Sequence, residues 1–245
     1  SGKQRKKRID NLSETCAERI RAVMLPGLQR QAHQALGATG WDMAIAPDEP
    51  QTLLFRYPSA VDAAAPGNYI RREVRIEGGA RSDDWPAENQ NIRPYVAEAF
   101  PERLAKAVAT VRTLSAERTF WEKATILHAE AHRELGKATP QRFSRHYADL
   151  ASLAEHKTGQ SAIGRDDLRA RVVAHKKVFF ASAWAHYETA IPGSFRLIPD
   201  EHRLADLEND YRQMQEMYFG PPRPWAEIVA NLRRLEEAIN TSPRP

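Results

Sequence analysis

The period of the apolar positions changes twice along this chain. From Arg5 to about Leu36, the residues Ile9, Leu12, Cys16, Ile20 and Val23 recur every three or four positions, the spacing of one helix face. Pro26-Gly27 is expected to break or kink that helix, because proline has no N–H to donate and its ring crowds the preceding turn. The period then falls to two: Trp41, Met43 and Ile45 alternate with Asp42 and Ala44. Thr52 to Tyr57 is a β-rich run, and Pro47-Asp48-Glu49-Pro50 between the two is turn chemistry, so a hairpin is predicted. A third strand is predicted from Tyr69 to Glu77, with Ile70, Val74 and Ile76 on one face and Arg71, Glu73, Arg75 and Glu77 on the other. Arg72 interrupts the apolar face. A loop is expected from Arg81 to about Gln90, and Val108 to Leu114 is a candidate fourth strand.

Beyond Ser115 the pattern is helical to the end, with helices predicted near residues 116–134, 142–156, 165–189, 201–218 and 224–240. Ser115 is a candidate N-cap, although Arg118 stands where a capping box would have Glu or Gln. The expected fold class is α+β, a small and mostly antiparallel sheet followed by a C-terminal helical region. The division is placed near residues 112–118, giving parts 1–115 and 116–245.

Composition narrows the class. At 245 residues and 42% hydrophobic the chain is long and apolar enough for a sizeable core. No apolar run approaches the ~20 residues of a membrane-spanning helix, so no membrane association is expected. The basic opening from Ser1 to Arg8 has no apolar stretch behind it, so no secretory signal is expected either. The single Cys16 excludes an internal disulfide framework and fits a core position in a reducing, cytoplasmic protein. A net charge of +4 and a pI near 9.2 favour a polyanionic partner, nucleic acid or a nucleoside triphosphate.

No P-loop, GxGxxG, GxSxG or HExxH is present. His128 and His132 have a legitimate metal spacing, but read better as ordinary helix histidines. Three clusters could carry chemistry. The strand face Arg71, Glu73, Arg75, Glu77 runs into Gly78-Gly79-Ala80-Arg81, where glycines permit close approach of a ligand to the backbone. The plainer reading, favoured on the residues alone, is a solvated ladder of alternating charges. In Thr119-Phe120-Trp121-Glu122-Lys123, Phe120, Ala124, Leu127 and Ala131 form a buried stripe with Lys123 at its edge. That lysine either snorkels to water or points into a cleft as a charge for phosphate. In Arg142 to Leu150, Arg142, His146 and Asp149 project beside the stripe Phe143, Tyr147, Leu150 and Ala154. Arg145 and Asp149 could equally form an ordinary (i, i+4) surface pair.

At these clusters the chain resembles the AbiEii/AbiGii-type toxins of bacterial toxin–antitoxin and phage abortive-infection systems. The matching strings are VRIEGGARSDDWP (74–86), ERTFWEKATILHAEAHR (117–133), RFSRHYADLASL (142–153), HKKVFFASAWAHYETAIPGSFRLIPD (175–200) and DYRQMQEMYFG (210–220). The resemblance implies a nucleotidyltransferase-like fold, with residues 1–115 the remainder of its α/β core. It also implies magnesium-assisted transfer of a nucleotide from a nucleoside triphosphate to RNA, in some members the 3′ end of transfer RNA. A winged-helix antitoxin is the implied cognate partner, and the bacterial cytoplasm the implied location.

By the same resemblance Glu77 stands where the family's third metal carboxylate would be. Lys123 matches its triphosphate-contacting lysine, and Asp149 its essential aspartate, with metal support and hydroxyl activation both open as its role. The three are expected to converge. Arg75, Arg81, Arg142 and Arg145, with His146, are expected to line the rim and attract triphosphate or RNA. The departures are Gly78, where a bulky residue is expected, Ala148, where a tyrosine is common, and the Gly-Ser…Asp-x-Asp motif, which is not found. Gly193-Ser194 has no matching Asp pair. The 245 residues alone are therefore expected to be catalytically inactive, and a module that binds RNA, nucleotide or antitoxin without chemistry is the alternative. A purely structural helical scaffold is the third reading.

Overall fold

The computed structural model describes residues 2–58, 70–104, 107–134 and 136–242. Tyr69, at the start of the third predicted strand, lies outside them. The fold is α+β, with small antiparallel sheets and a helical C-terminal region. Two compact units are present: Ser1–Ser82 with Gln213–Gly220, and Asp83–Arg212 with Pro221–Pro245.

In the first unit α1 (Gly2–Arg19) leads through a π-helical turn (Ile20–Met24) into α2 (Leu25–Leu36). Pro26 does not break the helix. The Leu25 N–H reaches back to the Ile20 carbonyl, one residue further than an α-helical bond. That wider turn places Pro26 at the start of α2, where its missing N–H costs nothing. Three strands follow, β1 (Asp42–Ala46), β2 (Glu49–Arg56) and β3 (Glu73–Glu77), in the order β1-β2-β3 and antiparallel throughout. The predicted hairpin closes at Pro47-Asp48. Ile20, Met43 and Leu53 form a small core, onto which Cys16, Trp41, Phe55 and Ile76 pack. Gly78 does permit a close approach, but the neighbour is Ile20: a Cβ there would lie 2.6 Å from the Ile20 Cδ1 methyl.

In the second unit β4 (Ala87–Ile92) pairs antiparallel with β5 (Ala109–Leu114), and a short α3 (Tyr95–Ala99) lies between them. β4 falls partly inside the expected loop. Its sequence Ala-Glu-Asn-Gln-Asn-Ile has no apolar alternation, because the strand is mostly exposed. The Ser115 hydroxyl caps α4 (Ala116–Ala131) by accepting from the Arg118 N–H at 3.1 Å. Burial of α4 extends well beyond the predicted stripe to Arg118, Trp121, Thr125, His128 and Glu130. The reason is that α4 is central: α5 (Arg145–Glu155), α6 (Lys157–Ile163) and α7 (Asp166–Phe179) all pack on it. The Trp121 indole donates to the Ala162 carbonyl of α6 at 2.9 Å. Helix α6 itself is absent from the periodicity. It carries Gly159, whose missing side chain lets it rest on Ala154, where a Cβ would lie 2.6 Å from backbone.

The helix predicted over 165–189 stops at Phe179, and two 3-10 turns at Ala183–Ala185 and Tyr187–Thr189 follow. His186 between them is left-handed (φ 44°). Its carbonyl meets the buried His128 Nε2 at 3.1 Å, so a tertiary contact overrides local helix propensity here. Helices α8 (Glu201–Gln213) and α9 (Trp225–Thr241) complete the unit. Arg203 of α8 clamps the end of α4 through Glu130, Thr139 and the carbonyls of Glu134 and Lys137.

Candidate functional site

Lys123 lies where α4 faces α5, and there it finds two partners. Its ammonium donates to Asp149 Oδ2 at 2.6 Å and meets His146 Nδ1 at 3.0 Å. The lysine side chain is 20% exposed and the aspartate 46%, so the pair opens to solvent on the Asp149 side. The plain surface pairing of Arg145 with Asp149 is superseded by this bond between helices. Burial holds the His146 pKa down to about 4, helped by the charges of Lys123 and Arg145. The ring is therefore neutral at pH 7. Because Lys123 can only donate, Nδ1 is the acceptor and the ring proton is assigned to Nε2.

The N-terminus of α5, which sets these residues, is held from outside the helix. Arg142 adopts φ 61°, so the helix cannot begin there as predicted and starts at Arg145. Ser144 stands at the cap position but its side chain caps nothing within α5. Asp210 of α8 supplies the cap instead. It accepts from the Arg142 N–H at 2.6 Å, the Ser144 N–H at 2.9 Å and the Ser144 hydroxyl at 2.5 Å. Sequence reasoning missed this role, since no spacing ties residue 210 to 142–144.

Next to this group runs a chain of charges centred on the buried Arg118. Arg118, fully buried, donates to Asp83 Oδ2, Glu122 Oε1 and the Trp85 carbonyl at 2.8–3.1 Å. Lys176 of α7 meets the other Glu122 oxygen at 2.8 Å, and Arg171 grips Asp83 with two bonds of 2.8 Å. Arg171 and Arg118 hold the Asp83 carboxyl well below the usual carboxylate range. Burial works against the Glu122 carboxylate, yet Lys176 and Arg118 outweigh it and lower its pKa. His128 is neutral for the same reason as His146, its pKa pushed down to about 4 by burial. It bonds His186 and Thr189 through Nε2 and accepts from the Arg196 N–H through Nδ1, a structural role.

Of the remaining candidates, Arg75, Glu77 and Arg81 belong to the first unit and Arg145 to the second. Glu77 is paired with Arg75 at 3.3 Å, and Arg75 also holds Glu49 at 2.6 Å. Across the sheet Arg56 bridges Asp42 and Glu73. This is the ladder of alternating charges that the residues alone favoured. Arg81 is exposed beyond β3, and Arg145 is exposed at the start of α5.

The family model described as the nucleotidyl transferase AbiEii toxin of a type IV toxin–antitoxin system matches residues 2–238. The chain belongs to that family. No curated protein and no solved structure matches it. Among the described residues no helix is long and apolar enough to cross a membrane. Magnesium, which AbiEii-type chemistry implies, takes oxygen ligands in near-octahedral array. Among the described residues no three His, Cys, Asp or Glu side chains gather to hold a metal ion. Asp149 and Glu77 each already give an oxygen to a cation, so these residues do not by themselves make a magnesium site.

Proposed function

We propose that the chain binds a nucleoside triphosphate at Lys123 and serves the transfer of its nucleotide to RNA, the 3′ end of transfer RNA being the expected acceptor. The observation that carries this reading is the fixed ammonium of Lys123 at the mouth between α4 and α5. An ammonium has three donors. Asp149 and His146 take two, and among the described residues the third has no partner, which leaves it for a phosphate oxygen. The neutral His146 orients the ammonium without adding a competing positive charge. Asp149 fixes the lysine and offers its second oxygen to a substrate hydroxyl. Arg142 and Arg145 are the proposed contacts for triphosphate or RNA in this unit, Arg75 and Arg81 in the other. Magnesium is the expected cofactor, and Glu77 of the first unit is the proposed carboxylate for it.

Calorimetry with each nucleoside triphosphate tests the reading. A lost charge-assisted bond of about 1.5–3 kcal/mol makes Lys123→Ala bind roughly ten- to a hundredfold more weakly. Unchanged affinity overturns it. Incubation with total transfer RNA, magnesium and each labelled triphosphate then separates enzyme from binding module. The proposal that the 245 residues transfer nothing on their own fails if label is incorporated and Asp149→Ala abolishes it.

One observation favours the binding module. The Lys123 charge is already neutralised by Asp149, an arrangement sufficient for holding α4 to α5. On that reading Asp149→Ala lowers stability while triphosphate affinity rises or stays level. A magnesium-dependent loss of triphosphate binding in Asp149→Ala counts for the enzyme.

A further inference from the structure

A groove in the first unit takes no part in the site above. It lies between α2 and the start of β1 as an open, solvent-facing groove of about 480 Å3. Arg30, His33 and Gln34 line one side at helical neighbour spacing, and Trp41 closes the other. Both walls are anchored. Gly37 ends α2 at φ 86° and Gly40 turns again at φ 88°, conformations that glycine adopts without strain, and the chain returns along α2. The Trp41 indole N–H donates to the Gly37 carbonyl at 2.9 Å, and the ring leans on Phe55 at 6.2 Å. Gln29 ties α2 to β1 through the Met43 carbonyl at 3.0 Å. The aromatic face is thus fixed in place before any ligand arrives, which reduces the entropy cost of binding.

Charge says what fits. Residues 1–40 hold eight lysines and arginines against three acidic residues, so this stretch alone exceeds the +4 of the whole chain. A fixed indole bordered by Arg30, His33 and an amide, in an N-terminal stretch of net positive charge, matches the requirements of a single-stranded nucleic acid. Its bases are free to stack, and its phosphates follow the positive charge. In a duplex the bases are stacked inside and cannot enter.

We propose that this groove holds one nucleotide of single-stranded RNA, with its base on Trp41, its base edge met by Gln34, and its phosphodiester met by Arg30 and His33. The inference rests on RNA being the acceptor, and it places a second RNA contact outside the Lys123 site.

The test uses a labelled eight-nucleotide single-stranded RNA in fluorescence anisotropy, with the duplex of the same sequence as control. Triphosphate affinity is followed in parallel by calorimetry. Arg30 is exposed, so Arg30→Ala leaves the fold intact. It should weaken RNA binding and reduce the salt slope by about one. Trp41→Ala should cost roughly tenfold or more, and Trp41→Phe should restore much of that. Neither should change triphosphate affinity. The groove assignment falls if both variants bind the RNA like the wild type, if the duplex binds as well, or if the wild-type chain binds no single-stranded RNA. If the variants keep full RNA binding while Lys123→Ala loses triphosphate affinity, the groove falls and the proposed function stands. If they lose RNA while Lys123→Ala keeps its triphosphate affinity, the groove stands and the proposed function falls.

Discussion

The three-stranded sheet and helix α4 both carry linked ion pairs, one centred on the partly exposed Arg75 and the other on the fully buried Arg118. On the sheet, Arg75 lies between Glu49 and Glu77, with the Glu77 side chain 66% exposed. On α4, Arg118 lies between Asp83 and Glu122 with no exposure at all. Exposed pairs contribute about 0–1 kcal/mol, because water and salt screen them and two long side chains must be ordered. A buried pair also contributes little net stability, since desolvation offsets attraction, but breaking one partner strands a charge in the core. The two networks therefore differ in what breaking them costs, because only the one on α4 is centred on a fully buried charge.

The largest expected effect follows from that asymmetry. Arg118→Ala leaves Glu122 only Lys176 and Asp83 only Arg171, removes the donor to the Trp85 carbonyl, and empties the space of a fully buried side chain. It should lower stability by roughly 3–5 kcal/mol in chemical denaturation. A loss under 1 kcal/mol would show that the network on α4 is no different in kind from the one on the sheet.

Next in size is Asp210→Ala. It removes the acceptor for two backbone N–H groups and a hydroxyl at the start of α5. A cost of about 2–3 kcal/mol is expected from donors left unsatisfied. Because α5 carries His146 and Asp149, the His146 ring signals in NMR should shift as well. Unshifted His146 signals would show that Asp210 supports the fold without positioning the site.

How far each of these was legible depends on where the partner comes from. The hairpin at Pro47-Asp48 and most helices of the C-terminal half could be read directly, because periodicity and turn residues are local, whereas α6 left no periodicity and the helix expected to reach residue 189 stops at Phe179. Ser115 was legible as a cap for the same reason. Strand β4 was not, since its polar residues face solvent and leave no alternation. At the site, the resemblance pointed to Lys123 and Asp149, and the (i, i+4) rule offered Arg145 as the aspartate's partner. Their actual pairing joins two helices 26 residues apart, which no spacing rule reaches. Asp210 lies beyond such rules too. The sheet ladder, by contrast, needed only strand alternation, and Arg75 and Glu77 pair as that reading expected.

A smaller effect concerns pH. His146 has its pKa lowered from near 6.5 to about 4 in the folded chain, as does His128. Below pH 6.5 the unfolded chain takes up protons that the folded one refuses. Stability is therefore full above pH 6.5 and falls as the pH drops towards 4. His146→Gln, which keeps an acceptor for Lys123, should remove its own share of that fall, about 1–2 kcal/mol, with little change at pH 7.5. A melting profile that keeps its full acid slope in the variant would refute the neutral assignment of His146.

The smallest expected effect returns to the sheet. Arg75→Ala breaks both of its ion pairs, yet the loss should stay below about 1 kcal/mol, and raising salt should shrink it further. Glu77→Gln should be milder still for stability, because the amide keeps the shape and can still accept from Arg75. Here stability and chemistry part ways. If Glu77 is no more than a rung of a solvated ladder, Glu77→Gln leaves magnesium binding by the chain untouched. If it is the proposed magnesium carboxylate, that binding weakens while the denaturation midpoint hardly moves. A large stability loss in either variant would break the comparison itself. It would mean that the charges on the sheet are covered by something that shields them as the core shields Arg118.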